Sequence, residues 1–165
     1  MNNEIKNSIV LGIDTGLAIM GWSVVQKKSG SFNNLNLMGY GSVTTDSKLS
    51  NALRLKAIYD ATIELIEKFK PRVMAIESLF YFKNQKTVIK VSQARGVILL
   101  AAAEKGLLIY DYTPLQVKTS VTGYGRADKK QVQKMITRIY GLKEDPKPDD
   151  VADAIAVATC HIHTF

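Results

Sequence analysis

The sequence has few of the residues that would indicate a secreted, membrane-spanning or histidine-dependent protein. It contains one cysteine, Cys160, so no disulfide can form within the chain and a reducing, cytoplasmic setting is expected. No apolar run approaches about 18 residues, so no transmembrane helix is predicted. The polar residues 1–8 lack the apolar core of a signal peptide. The two histidines lie near the C-terminal end, where we expect a fraying helix end and no catalytic role.

Acidic residues are also scarce relative to basic ones. The chain has 15 Asp and Glu against 22 Lys and Arg, which gives a formal net charge of +7. This balance favours a polyanionic partner, and nucleic acid first among them. Hydrophobic residues make up 46% of the chain, enough for one sizeable core. We therefore predict a single domain over residues 1–165, with residues 1–7 flexible.

The order of the predicted elements indicates an α/β fold. Apolar or alternating segments at 8–14, 20–26 and 35–44 are joined by short turns, which predicts an antiparallel three-strand meander. Each later strand follows a helix, and such a crossover calls for parallel pairing. The result is a mixed five-stranded sheet, the meander plus two parallel strands, with helices on both faces. The later predicted elements are a helix ended by Pro71, a strand at 72–77, a loop at 79–86, a helix at 87–105, a strand at 107–110, and helices from Pro114, over 129–140 and over 150–161.

Carboxylates stand at the ends of two of these apolar strands. Asp14 closes the first strand and Glu77 closes the fourth, and ligands bind at strand ends in open α/β sheets. Asp150 and Asp153 lie three residues apart on one helix face, among alanines that let this helix approach the sheet closely. Gathered carboxylates need hard divalent cations such as Mg²⁺ or Mn²⁺. Two such ions about 4 Å apart can hold an in-line attack on a phosphodiester.

Each acid also has a simpler interpretation. Acids in the first turn of a helix stabilise its macrodipole, and for Asp150 and Asp153 taken alone this interpretation is favoured. Asp14 alone can be a turn residue. Glu77 is harder to explain, because it closes an apolar strand without turn chemistry. Spacing alone does not establish that the three segments converge.

Five short motifs follow one another along residues 8–163. They are LGIDTG at 11–16, AIESLF at 75–80, SQARGV at 92–97, the series QVK, GYG and KKQV between 116 and 132, and DVADA at 150–154. Together they resemble the RuvC family of crossover (Holliday) junction endonucleases, in the ribonuclease H-like superfamily. Thr15 stands where the family usually has proline, a change that leaves the neighbouring acid intact.

The resemblance implies a ribonuclease H-like fold and the activity of the family. Asp14, Glu77, Asp150 and Asp153 would be the catalytic acids and would bind two Mg²⁺ ions, with Mn²⁺ able to substitute. They would hydrolyse phosphodiesters to leave 5′-phosphate and 3′-hydroxyl ends. A homodimer would place one nick in each of two strands of a four-way junction, in a complex with the branch-migration proteins RuvA and RuvB.

The predicted helix 87–105 gives a separate indication of a second chain. Its segment 97–103 is apolar on every side, which one core-facing side does not require. We infer that part of this helix packs on another chain. The sequence leaves open which side does so.

Aromatic and basic residues near the acids are candidates for DNA contact. The segment 79–86 follows Glu77 and mixes rings with lysines, which suits base stacking and phosphate contact. The resemblance favours Phe80 for stacking, and it places Lys118 and Lys129 near the scissile phosphate. Without it, solvated helix lysines would be the preferred interpretation. The predicted DNA-binding residues are Phe80, Lys83, Lys86, Lys118, Arg126, Lys129 and Lys130, with Lys134 a weaker candidate.

The leading interpretation is a metal-dependent, structure-selective endonuclease of recombination and repair. One alternative is a junction-binding protein without nuclease activity, and another is a related nuclease that acts on a different branched nucleic acid. An actin-like kinase or ATPase also opens with a strand followed by aspartate and glycine. Such folds need two domains, for which 165 residues are too few.

Overall fold

A computed structural model describes residues 9–28, 35–78 and 85–165, without the side chains of 85–87. The predictions for residues 1–7, Phe80, Lys83 and the Lys86 side chain lie outside this description, and the single-domain prediction stays a prediction. In chain order the elements are β1 (Ile9–Asp14), β2 (Ile19–Lys27), β3 (Leu35–Thr44), α1 (Asn51–Phe69), β4 (Val73–Glu77), α2 (Gln85–Glu104), β5 (Leu108–Tyr112), α3 (Pro114–Thr122), α4 (Lys129–Tyr140) and α5 (Asp149–Thr164).

The five strands form one mixed sheet in the order β3-β2-β1-β4-β5. β1 pairs antiparallel with β2 and parallel with β4, while β2 pairs antiparallel with β3 and β4 parallel with β5. The predicted meander with two parallel strands is therefore confirmed. Ile13 of β1 lies opposite Ile76 of β4, so the acids that follow, Asp14 and Glu77, emerge at the same edge of the sheet.

Helices cover both faces of the sheet, as predicted. Leu11 and Ile13 point into a core cluster with α1 and α2 on one face. Val10 points into a second cluster, which α3, α4 and α5 complete on the other face. β1 is therefore buried from both sides, which explains its nearly continuous apolar sequence. In the described part of the chain, no helix combines the length and apolarity needed to cross a membrane.

α5 lies so close to the sheet that only glycine fits beneath it. A Cβ built on Gly12 would lie 2.3 Å from the backbone oxygen of Ala154, and one on Gly21 would lie 2.0 Å from that of Asp150. Ser23 Oγ donates a hydrogen bond to the Ala154 carbonyl at 2.9 Å. The start of α5, with its acidic residues, is thereby held against β1 and β2.

Local capping explains where several helices begin. The Ser50 hydroxyl accepts a hydrogen bond from the backbone N–H of Leu53 at the start of α1. Thr113 and Asp128 open α3 and α4 with capping boxes, in which a glutamine three residues later returns a bond to the cap backbone. α3 begins at Pro114 and α4 at Lys129, so both predicted starts are confirmed. The signals that set these starts involve only neighbouring residues.

Three predicted boundaries were wrong. α2 begins at Gln85, so Lys86 belongs to its first turn and not to a loop. β5 continues to Tyr112, because Asp111 and Tyr112 pair with the last two residues of β4. α5 continues to Thr164, and its end is not frayed, because His161 is buried and its Nδ1 lies 2.7 Å from the Tyr112 hydroxyl.

Candidate active site

Four carboxylates from three elements lie near one another at the sheet edge where β1 and β4 end. Asp14 and Glu77 are the last residues of these strands, and Asp150 and Asp153 belong to the start of α5. Gly21, which pairs with Asp14 in the sheet, lies against the backbone of Asp150. The negative charges of all three other acids also raise the pKa of Asp14. Neither α5 acid serves as a side-chain cap, since the helix begins without a capping hydrogen bond. The structure therefore brings together the four acids that the sequence singled out.

Asp14 has the most strongly perturbed carboxyl group of the site. Burial, followed by the charges of Asp153, Glu77 and Asp150, raises its pKa from 3.8 to about 7, and Lys129 opposes this only partly. Within the described ranges no hydrogen bond reaches its carboxylate. A buried carboxylate in this position lacks compensation for its charge near neutral pH.

Glu77 and Asp153 share this environment. Burial is the main reason that the pKa of Glu77 is raised, with a contribution from Asp153, and Lys118 and Lys129 lower it. Burial also raises the pKa of Asp153, against the hydrogen bond and charge of Lys129. Lys118 and Lys129 therefore lie within electrostatic reach of the acids.

Lys129 makes a direct contact with the start of α5. Its Nζ lies 3.0 Å from the Asp153 carboxylate and 3.4 Å from that of Asp149. Asp149 also accepts a hydrogen bond of 3.0 Å from Gln133 Nε2, so two residues of α4 hold it. The sequence interpretation passed over Asp149, although it stands directly before Asp150 in the same helical turn.

Arg95 holds the end of β4 from the side of α2. Its guanidinium donates a hydrogen bond of 2.9 Å to the backbone oxygen of Glu77 and also pairs with Asp111 of β5. The backbone N–H of Ser78 donates to the Tyr112 carbonyl at 2.8 Å. The backbone around Glu77 is thus held on two sides. The sequence interpretation noted the motif that contains Arg95 but assigned this side chain no role.

The donor set fits hard divalent cations by its chemistry, because all four side chains offer carboxylate oxygens. As the side chains stand, no three Asp, Glu, His or Cys residues in the described ranges lie close enough to share one ion. Thr15 Oγ1, next to Asp14, is buried and has no hydrogen-bond partner in the part of the chain described. Buried polar atoms normally have a partner, so an uncompensated carboxylate beside an unpaired hydroxyl suits a site that ions and their water complete.

Of the described DNA-binding candidates, Lys118 and Lys129 lie within electrostatic reach of the acids. Lys118 is half-buried on α3, while Arg126, Lys129 and Lys130 are exposed at or before the start of α4. Among the described residues, no carboxylate oxygen lies within 4.0 Å of Lys118, Arg126 or Lys130. These three cations are therefore available for phosphate.

α2 has one core-facing side and one open side. Its buried residues Ala94, Ile98, Ala101 and Ala102 face the sheet. The open side carries a stripe at three- to four-residue spacing, where a Cβ on Gly96 would meet nothing within 4 Å and Leu100 is 53% exposed. We call this side the open α2 face; its residues are Ile89, Ser92, Gln93, Gly96, Leu100 and Ala103.

Comparison with known proteins agrees with the motifs. The family model described as "Crossover junction endodeoxyribonuclease RuvC" matches residues 10–161. The chain belongs to the RuvC family. The RuvC protein of Caldicellulosiruptor saccharolyticus is 52% identical over 153 residues, which cover 93% of this chain and 91% of that protein. The RuvC protein of Halothermothrix orenii is 50% identical over 157 residues, which cover 95% and 93%.

Solved RuvC structures have the same fold. Thermus thermophilus RuvC superposes with a TM-score of 0.86 at 34% identity, covering 94% of this chain and 93% of that one. The structure of T. thermophilus RuvC in complex with a Holliday junction substrate gives a TM-score of 0.89 at 34% identity, with coverage of 95% and 94%. The yeast mitochondrial Holliday junction resolvase Ydc2, at 14% identity and a TM-score of 0.67, shares the fold. The family and fold predicted from the sequence are thereby confirmed.

Proposed function

We propose that this protein is a crossover junction endodeoxyribonuclease that resolves four-way DNA junctions in recombination and repair. The observation that carries the proposal is the gathering of Asp14, Glu77, Asp150 and Asp153 at one sheet edge in a chain of the RuvC family. Relatives about half identical to it bear this enzyme's name. A RuvC of the same fold has been solved with a Holliday junction substrate, which supports a four-way junction as the DNA.

The four acids are the proposed metal ligands and catalytic residues. When bound to them, two Mg²⁺ ions, or Mn²⁺ in their place, would supply an activated water and stabilise the leaving oxygen, so that the products carry 5′-phosphate and 3′-hydroxyl ends. Asp14 contributes a rigid carboxylate, because its strand is buried on both faces. Lys118 and Lys129 lie near enough to stabilise negative charge that develops on the phosphoryl group.

The remaining cations serve DNA binding in this proposal. Arg126 and Lys130 are exposed beside Lys129, where they can contact phosphates on either side of the cleaved bond. Phe80, Lys83 and Lys86 keep their predicted roles in base stacking and phosphate contact. Binding should therefore weaken steeply as salt is raised.

The open α2 face is the proposed homodimer contact. It is an exposed stripe with apolar residues and a glycine that lets a second helix approach closely, which suits packing against its own copy. A dimer presents two active sites, as paired symmetric nicks require. A complex with RuvA and RuvB and a cytoplasmic location complete the proposal.

A nicking assay on a labelled four-way junction tests the function. Wild-type protein should make two symmetric nicks in the presence of Mg²⁺, and Asp14→Asn should abolish them while junction binding is retained. Asp60→Asn removes a carboxylate on the outside of α1 and should cleave normally. Equal cleavage by Asp14→Asn would refute the assignment of the acids. Absence of nicks at every Mg²⁺ concentration would favour a junction-binding protein, and nicks confined to another branched DNA would favour a related nuclease.

A further inference from the structure

One side of α4 carries basic residues in a row. Lys130, Lys134 and Arg138 recur every fourth residue, and all three are exposed. At about 1.5 Å per residue, such neighbours share one side of the helix about 6 Å apart. We call these three residues the α4 cationic face. Lys130 belongs to the proposed DNA contacts, Lys134 is a weaker candidate from the sequence, and Arg138 was not singled out there.

A groove runs along this face. Tyr124, in the turn that follows α3, lines it together with Gln131, Lys134, Met135 and Arg138. Tyr124 is 57% exposed, so both its ring and its hydroxyl are open to a ligand. No residue of the described ranges that lines the groove is acidic. The groove therefore combines positive charge, a hydroxyl donor and a small apolar surface.

Two acidic residues near α4 bind a neighbouring side of the helix, and a third, Asp128, caps its first turn. Asp149 accepts a hydrogen bond from Gln133, and Asp145 accepts one of 2.6 Å from Thr137. Gln133 and Thr137 each precede a member of the α4 cationic face by one residue, a rotation of about 100° around the helix. Throughout the described chain, no carboxylate oxygen lies within 4.0 Å of that face. Within the described chain, its charge is thus not paired with a carboxylate.

We propose that the α4 cationic face and its groove bind the phosphate backbone of one duplex arm of the DNA substrate, away from the cleaved bond. Lys134 and Arg138 contact phosphates, and the Tyr124 hydroxyl donates to the same backbone. The proposal rests on the proposed function, because α4 begins at Lys129, whose ammonium contacts Asp153 in the candidate active site. DNA bound at the acids would then continue along α4 to the groove.

The place of the groove favours DNA over an acidic polypeptide as the occupant, because its helix starts at the candidate active site. Arg138 is nine residues from Lys129, or about 13.5 Å along the helix at about 1.5 Å per residue. This distance equals about four base-pair steps of about 3.4 Å, and the 6 Å between cations spans about two phosphates of one strand. A duplex held at the acids with its axis along α4 would therefore extend over the groove.

The salt dependence of binding tests this interaction. We would measure the dissociation constant of a labelled four-way junction in a metal chelator over a range of salt concentrations, for wild type and for Lys134→Gln/Arg138→Gln. Removal of one cation from a phosphate should lower the slope of log affinity against log salt by about 0.9, so the double variant should lower it by about 1.8 for each protomer, or about 3.6 for a dimer with both faces on DNA. The control Lys56→Gln/Lys68→Gln removes two charges from α1, across the sheet, and should keep the wild-type slope.

A modified substrate locates the bound phosphates on the DNA. Uncharged methylphosphonates would replace the phosphates about four base-pair steps from the cleaved bond, on each side of it in separate junctions. With one of the two modified junctions, the salt slope of wild type should be smaller than with unmodified DNA. The salt slope of Lys134→Gln/Arg138→Gln should not change with that junction, because the variant and the modified DNA remove the same interaction.

The possible outcomes separate the groove from the proposed function. An unchanged slope in the double variant would overturn the inference and favour an acidic protein partner for the groove. Additive effects of variant and methylphosphonates in both junctions would also overturn it, because the bound phosphates would lie elsewhere. Failure of wild type to nick the junction in Mg²⁺ would instead count against the proposed function. Wild-type nicking with an unchanged variant slope would count against the groove alone.

Discussion

Replacement of Asp14 by asparagine should stabilise the metal-free protein at neutral and alkaline pH. The folded chain raises the pKa of Asp14 from 3.8 to about 7, so between these values the folded state holds a proton that the unfolded state has released. The free energy of unfolding therefore falls as the pH rises through this window, and it remains low above pH 7. About three pKa units at about 1.36 kcal/mol each give about 4 kcal/mol as the upper value.

An asparagine side chain carries no charge at any pH, so Asp14→Asn avoids the cost of ionising a buried carboxyl group. A chain of this size changes its melting temperature by about 2–4 °C per kcal/mol, so the variant should melt up to about 8–16 °C above wild type at pH 8 and close to it at pH 4. Thermal melts in a metal chelator from pH 4 to 8 measure the difference. Asp60→Asn is the control, because Asp60 is exposed and pairs with Lys56.

Mg²⁺ provides the second arm of this experiment. An ion that binds the folded chain alone stabilises it by about 2.7 kcal/mol at 100 times its dissociation constant. Wild type and Asp60→Asn should gain this stability at pH 8, and Asp14→Asn should gain much less. Parallel melting curves for wild type and Asp14→Asn across the pH range, or equal stabilisation of both by Mg²⁺, would refute the electrostatic account of the site.

Two further substitutions test the surroundings of the acids, and a third tests the proposed dimer contact. Gly21→Ala pushes a Cβ against the backbone of Asp150 and should lower the nicking rate about 100-fold while circular dichroism shows a folded chain. Leu100→Glu puts a charge on the open α2 face, so sedimentation should show monomers in place of dimers. Arg95→Met leaves the Glu77 carbonyl without its donor and should cost about 1–3 kcal/mol in urea unfolding. Its nicking rate at saturating Mg²⁺ should also fall, and Arg95→Lys should restore part of it.

Each of these expectations has a contrary result. Wild-type nicking by Gly21→Ala would mean that α5 has room to move without displacing its acids. Leu115, 62% exposed on α3 across the sheet, supplies the control Leu115→Glu, which should remain dimeric. Dimers of Leu100→Glu would exclude the open α2 face as the contact. An unchanged nicking rate in Arg95→Met, despite lower stability, would show that Arg95 acts on folding and not on the position of Glu77.

Local signals account for the parts of the fold that the sequence predicts well. Capping residues and proline mark the start of α3 at Pro114, and the alternation of β3 marks its whole length, Leu35–Thr44. Apolar periodicity ending in a carboxylate locates Asp14 and Glu77 at strand ends. These features depend on a few neighbouring residues, which is why they can be read without the structure.

Features that depend on distant residues were missed or misjudged. β5 is longer than its own apolar run because β4 supplies partners for Asp111 and Tyr112. His161 is buried because Tyr112, 49 residues earlier in the chain, meets its ring. The hydrogen bond between Arg95 and the Glu77 carbonyl likewise joins elements whose packing only the folded chain specifies.

The candidate site also has one part that the sequence predicts and another that depends on packing of distant residues. The sequence supplies the acids but not their convergence, since Gly12 and Gly21 resemble residues that merely weaken a strand. In the structure these glycines are the surface on which α5 rests. The unpaired hydroxyl of Thr15 and the bond from Lys129 to Asp153 are also visible only once the elements are packed.

The contact of α5 with Gly12 and Gly21 has a consequence for how the protein can vary. At Gly12 and Gly21 the backbone of α5 lies so close to the strands that even a Cβ does not fit, so the span between the strand acids and the helix acids is set mainly by main chain against main chain. Mutation can therefore change the surface charges of this protein in small steps, whereas it has no small step available for the distance between these acids. Engineering of its substrate range should begin on α3 and α4 and leave the contact of α5 with Gly12 and Gly21 unchanged.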